Sequence, residues 1–251
     1  MLVMGILNVT PDSFADGGRH NDFDGAVARG LEMIAEGVDI IDIGGESTRP
    51  GADRVTEAEE IKRTIPVIEE LAKHGVKISI DTMRADTAEA AINAGASIIN
   101  DVSGGLADPH MLQTAARLQV PYVAMHWRGQ SKDMNSKAFY SDVVTDVISE
   151  LQERITAALE AGIHESNLII DPGLGFAKDA HHNWEIIDSM ETFVALGYPV
   201  LVGGSRKRFL GGDSPDDREQ ATIELTKRLA TTGVWAVRVH SVKPHKEVLA
   251  R

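Results

Sequence analysis

The stretch Pro199–Gly211 reads Pro-Val-Leu-Val-Gly-Gly-Ser-Arg-Lys-Arg-Phe-Leu-Gly, an apolar run that stops at two glycines and then presents Ser205, Arg206, Lys207 and Arg208. In a chain of formal charge -13, three successive cations reverse the potential locally and invite an anionic ligand. From these residues alone a solvated basic turn stays equally open. Other apolar runs end in the same manner: on Asn8, on Asp42 with Glu46, on Asp81, on Asn100 with Asp101, on His126, on Asp171, and on Arg238 with His240. Sorted by chemistry, Asp81, Asn100, Asp171 and Lys207 offer acceptors and a donor for a flat heteroaromatic edge bearing amino, ring N–H and oxo groups, guanine-like or pterin-like. Arg49, Arg238 and His240 suit a phosphate or diphosphate. Asn8 offers the neutral oxygen that Mg²⁺ accepts while keeping several waters. Any one of these residues also serves as a loop cap. The whole set needs a ligand, or each other, to compensate its desolvation.

Such residues converge only if the runs that carry them are parallel strands of one sheet. Short β-branched runs at Leu2–Leu7, Val38–Ile43, Lys77–Ile80, Ser97–Asn100, Tyr122–Met125, Leu168–Ile170, Pro199–Val202 and Ala236–Val239 predict strands. Stretches of helical period alternate with them at Phe23–Glu36, Thr56–His74, Ala85–Ala94, Pro109–Leu118, Asp142–Ala161, Asn183–Leu196, Asp217–Thr232 and Pro244–Leu249. Eight strand-helix units are the number that closes a (β/α)8 TIM barrel, an α/β fold whose active sites lie at the C-terminal ends of its strands. In the longest helix, Val143, Val144, Val147, Ile148, Leu151, Ile155 and Leu159 fall on one stripe. Glycines at 37, 75, 95, 162, 197 and 233 read as helix stop signals. The longest connections are Asn8–Asp22, Gly44–Val55 and His126–Ser141; the first two are rich in turn formers and suited to closing over a ligand.

Composition narrows the partners. The 251 residues fit a single barrel domain spanning the whole chain. With 38 acidic against 25 basic side chains a nucleic-acid partner is disfavoured, because binding by counterion release needs a basic surface. Without cysteine there is no thiolate metal site, disulfide or cysteine nucleophile. No apolar run approaches the roughly 20 residues of a membrane helix, and no signal-peptide pattern precedes the first strand, so a cytoplasmic protein with small-molecule partners is expected.

Seven motifs in order resemble the dihydropteroate synthase family of the folate pathway. They are Gly-Ile-Leu-Asn-Val-Thr-Pro-Asp-Ser-Phe at Gly5–Phe14, Asp-Ile-Gly-Gly-Glu-Ser-Thr-Arg-Pro-Gly at Asp42–Gly51, Ser79–Thr82, Ile99–Gly105, Asp171–Phe176, Ser205–Lys207 and Arg238–His240. The resemblance implies a TIM barrel, usually a homodimer, that uses Mg²⁺. It joins p-aminobenzoate to 6-hydroxymethyl-7,8-dihydropterin diphosphate and is the target of sulfonamides. Carried over by motif, Asp81, Asn100, Asp171 and Lys207 are the pterin-binding set, with Met125 and Phe176 as apolar neighbours. Asn8 is the magnesium ligand, and Asn8, Arg49, Arg238 and His240 meet the diphosphate. Pro11, Thr48, Arg49, Pro50, Phe176 and Arg208 surround p-aminobenzoate. The implied mechanism is dissociative substitution at the pterin methylene, with Arg49, Arg238 and His240 stabilising the leaving group and loop acids such as Asp16 the methylene cation; Lys207 joins these as a catalytic contact.

Two alternatives share the pterin contacts: a methyltetrahydrofolate methyltransferase barrel, and a non-catalytic pterin-binding paralogue. The Thr10–Gly18 loop and Ser205-Arg-Lys207 argue against the first, which has no diphosphate to neutralise. Arg49 together with Ser205-Arg-Lys207 argues against the second. Ser241 stands where the family often has an acid, the Gly211–Arg218 connection is compact, and the segment before the first strand is short. Arg206 is expected in a structural ion pair, His181 and His182 at a cap or surface, and Trp127, Trp184 and Trp235 in packing.

Overall fold

The computed structural model describes residues 1–10, 19–46, 54–129 and 134–250. Eight parallel strands run β1 (Leu2–Asn8), β2 (Ile40–Gly44), β3 (Lys77–Asp81), β4 (Ile98–Asp101), β5 (Tyr122–Met125), β6 (Leu168–Asp171), β7 (Leu201–Val202) and β8 (Ala236–Val239). They hydrogen-bond in the order β6-β5-β4-β3-β2-β1-β8-β7. A bridge between Ile170 and Val200, with Ile170 N–H donating to Pro199 O at 3.0 Å, joins the two ends and closes the barrel. The strands form because they are apolar on both faces, as a parallel sheet covered by helices requires; every residue of β2, β4, β5 and β6 is buried. β7 is shorter than the Pro199–Val202 run, since Pro199 has no N–H to give a ladder.

The helices are α1 (Arg19–Ala35), α2 (Glu57–Ala72), α3 (Ala85–Asn93), α4 (Met111–Leu118), α5 (Val143–Glu160), α6 (Ala180–Asp188), α7 (Met190–Val194), α8 (Glu219–Leu229) and α9 (Lys243–Leu249). Asp142 caps α5 by accepting from Thr145 N–H at 2.8 Å. Val143, Val147, Leu151, Ile155 and Ala158 form its buried stripe, while Leu159 turns to solvent. The helix expected over Asn183–Leu196 is two helices. Ser189 takes φ -104° and ψ 18° between them, leaving α-helical geometry and ending α6 before α7 begins.

Inside the barrel, Met4, Ile40, Ile98, Val123, Ile169, Leu201 and Ala236 pack into an apolar floor. Side chains alternate between the two faces of a strand, so residues two further along point to the same interior. Those are Ile6, Asp42, Asn100, Met125, Asp171, Gly203 and Arg238. The floor therefore gives way, one layer up, to a mainly polar ring at the C-terminal mouth.

Candidate active site

Register fixes the level of the ring. Asn8 aligns with Gly44, Gly44 with Asp81, and Asp81 with Asn100, so four neighbouring strands end together at the mouth. Beside them, Arg238 reaches in from β8, the neighbour of β1. Its Nε donates to Asp42 Oδ2 at 2.5 Å and its Nη2 to Asp81 Oδ2 at 2.6 Å. Asn100 Nδ2 shares the same Asp42 oxygen at 3.1 Å. Asp42 is fully buried, and among the described residues its Oδ1 has no partner. Burial raises the Asp81 pKa well above the ordinary carboxylate range; Arg238 opposes this, and Asp42 reinforces it. Burial works against the Arg238 charge, yet Asp42 and Asp81 more than compensate and hold it protonated.

On the opposite wall stands Asp171. Its Oδ1 accepts from Gly173 N–H at 2.7 Å; burial raises its pKa, against that bond and the cations Lys207, Lys178 and Arg238. Lys207 donates to Leu174 O, and its Nζ lies 4.4 Å above the Phe176 ring. Burial brings the Lys207 ammonium down to about 8, opposed by Asp171. Gly175 makes this arrangement possible, because a Cβ there would stand 2.7 Å from Lys207 Cδ and its φ is +75°. Met83, Val102 and Met125, with Trp127 and Phe176 against them, form an apolar wall beside the polar ring. Trp127 thus packs at the mouth, whereas Trp235 packs on the floor and Trp184 meets Phe209 edge-on at 5.8 Å between ring centres.

The basic run divides. Ser205 Oγ lies 3.0 Å from His240 Nδ1. Arg206, at φ +58°, turns away to Glu219 at 2.7 Å, to Asp216 at 3.4 Å and to Ser241 Oγ at 2.9 Å. That is the structural ion pair expected for it, and it gives Ser241 a partner. Arg208 is exposed on a short 3-10 turn, Arg208–Leu210, directly after Lys207. Asn8 and His240 are half-buried at the mouth. His182 completes a capping box with Asp179, and His181 pairs with Glu185 at 2.7 Å on the surface. Pro11, Asp16, Thr48, Arg49 and Pro50 lie outside the described residues.

The stems of the β2–α2 connection are tied together by groups that sequence reasoning left without a role. Arg84 donates to Glu46 Oε2 at 2.7 Å, to Val55 O at 2.6 Å and to Glu60. Arg54 reaches Glu46 Oε1 at 3.0 Å, and Arg63 reaches Gly45 O at 3.0 Å. Burial raises the Glu60 pKa against hydrogen bonds from Thr82 and Arg84. Asp42 was visible as a strand end, and alternation with the floor residue Ile40 could have placed it in the ring. Nothing near Arg84 marks it as half-buried, and nothing near Lys178 marks it as buried.

Residues 4–240 match the family described as pterin binding enzyme, which places the chain among the pterin-binding barrels. It is 49% identical to a dihydropteroate synthase of Mycobacterium leprae, over 98% of this chain and 90% of the relative. It is likewise 49% identical to one of Bacillus subtilis, over 96% and 84%. The structure of Xanthomonas albilineans dihydropteroate synthase with 4-aminobenzoic acid superposes with a TM-score of 0.93 at 44% identity, covering 99% of this chain and 90% of that one. The same enzyme in complex with 7,8-dihydropteroate gives 0.90 at 40% identity, over 99% and 91%. The chain belongs to the dihydropteroate synthase family, transferases of folate biosynthesis.

Proposed function

We propose that this chain condenses 6-hydroxymethyl-7,8-dihydropterin diphosphate with p-aminobenzoate, giving 7,8-dihydropteroate and diphosphate. The observation that carries the reading is the convergence of Asp81, Asn100, Asp171 and Lys207 above one apolar floor, beside the Met125 and Phe176 wall. The carboxylates accept from amino and ring N–H groups of the pterin, and Asn100 and Lys207 complete the edge. Met125 and Phe176 flank the ring. Phe176 with exposed Arg208 borders the p-aminobenzoate side, where Pro11, Thr48, Arg49 and Pro50 join from the loops. Arg208 meets the benzoate carboxylate.

The reaction is a dissociative substitution at the pterin methylene. Arg49, Arg238 and His240 stabilise the departing diphosphate as its charge develops, and Asp16 and the electron-rich ring stabilise the cation. The arylamine is a free nucleophile at neutral pH, so no strong general base is required. Exclusion of water matters more, because water would capture the cation. Asn8 fits a Mg²⁺ ion. Its neutral oxygen would hold the ion where β1 ends at the mouth. That donor set suits an ion that keeps waters and leans on substrate phosphates, where it supplies charge neutralisation.

The same reading makes the protein a cytoplasmic homodimer inhibited by sulfonamides. A Yersinia pestis dihydropteroate synthase, 40% identical with a TM-score of 0.93, is known in a sulfonamide drug complex. Among the described residues no helix is long and apolar enough to cross a membrane. The test is direct: purified protein with Mg²⁺ and the two substrates forms dihydropteroate. Folded protein that yields no more product than a no-enzyme control refutes the reading.

A further inference from the structure

Lys178 follows the Asp171–Phe176 segment and turns inward, 8% exposed. Its Nζ lies 2.8 Å from His126 Nδ1, 3.0 Å from Gly173 O and 3.1 Å from Phe176 O. His126 ends its strand run and is itself 1% exposed; its Nε2 lies 2.9 Å from Glu150 Oε2 on α5. Arg128 Nε donates to the same carboxylate at 3.0 Å. Burial works against the Glu150 charge, but the hydrogen bonds from His126 and Arg128 outweigh it and hold the acid down at about 2.

Hydrogen-bond inventory then fixes the protons. An ionised carboxylate only accepts, so His126 carries its hydrogen on Nε2 and presents a lone pair at Nδ1. Nδ1 and two carbonyls are three acceptors around one nitrogen, the complement of an ammonium. Burial depresses both cations, His126 to about 4 and Lys178 well below the ordinary lysine range. The two are therefore not charged together, and the three acceptors around Nζ assign the positive charge to Lys178. Ala177, between Phe176 and Lys178, sits at φ +48°, a conformation that an alanine keeps only under restraint. Tyr140 adds a second fastening by donating to Ala177 O at 3.0 Å.

We propose that Lys178 is a positioning residue for the pterin site: bonded to His126, Gly173 and Phe176, it fixes the Asp171–Phe176 loop and sets a positive charge behind Asp171. The role rests on reading Asp171 as a pterin contact. The charged groups facing Asp171 are Lys207, Lys178 and Arg238, and those facing Lys178 are Asp171, Lys207, Arg128 and Glu150, with the neutral His126 imidazole. Since Lys178 is one of three cations that hold the Asp171 pKa down against burial, its removal raises the pH at which Asp171 gains a proton.

The variant Lys178→Met keeps the volume and removes the charge. Calorimetric titration with 7,8-dihydropteroate across pH 5–8 is expected to show affinity about tenfold weaker at neutral pH, the size of a coupling carried through contacts, with the acid limb of binding moved to higher pH. Lys178→Arg is expected to return that limb toward wild type, which packing alone would not do. An acid limb unmoved in Lys178→Met overturns the proposal, whatever the affinity does. If Lys178→Met does not fold, nitrogen-15 spectra of wild-type protein decide: His126 as the Nε2–H tautomer supports the arrangement, and Nδ1–H overturns it. Wild-type protein that binds no dihydropteroate refutes the pterin reading itself, and with it this role.

Discussion

Replacing Lys207 with methionine separates what the mouth does for binding from what it costs the fold. The ammonium donates to Leu174 O and lies over Phe176, yet burial brings its pKa from 10.5 to about 8 against the pull of Asp171. That displacement corresponds to about 3 kcal/mol at ~1.4 kcal/mol per pH unit. The side chain is half-buried and water reaches it, so roughly half of that penalty survives screening, about 1.5 kcal/mol. Methionine forfeits the hydrogen bond, about 1 kcal/mol, and regains a similar amount by apolar contact with Phe176. The variant is then more stable than wild type by about 1.5 kcal/mol near pH 7, a Tm rise of roughly 4 °C for a chain of this size.

The pH dependence carries the test. A lysine whose folded pKa is depressed contributes stability that is present above its unfolded pKa and lost as pH falls through the folded value, because the unfolded state binds more protons in that window. Wild-type stability therefore gains from about pH 8 to about pH 10, where the variant has nothing to gain. Urea unfolding at pH 7 and pH 10 is expected to show the advantage of Lys207→Met at the first and its disappearance at the second. Calorimetry with dihydropteroate is expected to show binding lost at both. A variant less stable than wild type by the same margin at both pH values would refute the account of Lys207 as a strained, functional charge.

Gly175→Ala places a Cβ at φ +75° and 2.7 Å from Lys207 Cδ. It is expected to cost about 1–2 kcal/mol in urea unfolding and to weaken dihydropteroate binding by displacing that lysine. Arg84→Met removes the cation paired with buried Glu60 and leaves Glu46 with exposed Arg54 and the Val55 N–H. A loss of about 3 kcal/mol is expected at pH 8. The deficit should narrow at pH 5, because a carboxyl whose folded pKa is raised stabilises the native state as it takes up its proton; a deficit independent of pH would argue that only packing was lost.

The barrel was legible because the two periodicities that build it are local. Alternating β-branched runs and helical stripes specify strands and helices, and a polar residue two positions beyond an apolar inward one marks the ring: Ile98 and Asn100, or Ile169 and Asp171. Pairings between distant strands were not legible. Arg238 and Asp42 are 196 positions apart, and nothing local to either shows that the arginine spends its fork on carboxylates within the barrel. Lys178 was missed for a different reason. Ahead of a helix, between Ala177 and the capping Asp179, a lysine has the pattern of a solvated turn, and only the loop's left-handed residue and the buried His126 turn it inward. The break at Ser189 is likewise tertiary, since the apolar period runs on through it.

Charge balance at the mouth bears on where a diphosphate is met. By composition alone Arg206, Lys207 and Arg208 suit either an anion clamp or a solvated turn, and the family resemblance divides them among an ion pair, the pterin and the benzoate carboxylate. In the fold, Arg206 leaves for Glu219 and Asp216, and Arg208 faces solvent. Among the described residues the carboxylates of the ring and the β2 interior are Asp42, Asp81 and Asp171, and the cations that act on them are Arg238, Lys207 and Lys178. Three acids face three bases, and burial works against the charge of Asp81, Asp171 and all three bases, so the interior offers little unpaired positive charge with which to hold two phosphates. Its charges are matched to one another, an arrangement suited to a neutral heterocycle that offers donors and acceptors rather than net charge. The charge that arrives with a diphosphate must then be met largely from outside this closed set. Among the described residues His240 beside Ser205 is placed to take part, and the proposed reading adds Arg49 and a Mg²⁺ ion held by Asn8. Arg238 contributes only to the extent that substrate loosens its hold on Asp42 and Asp81.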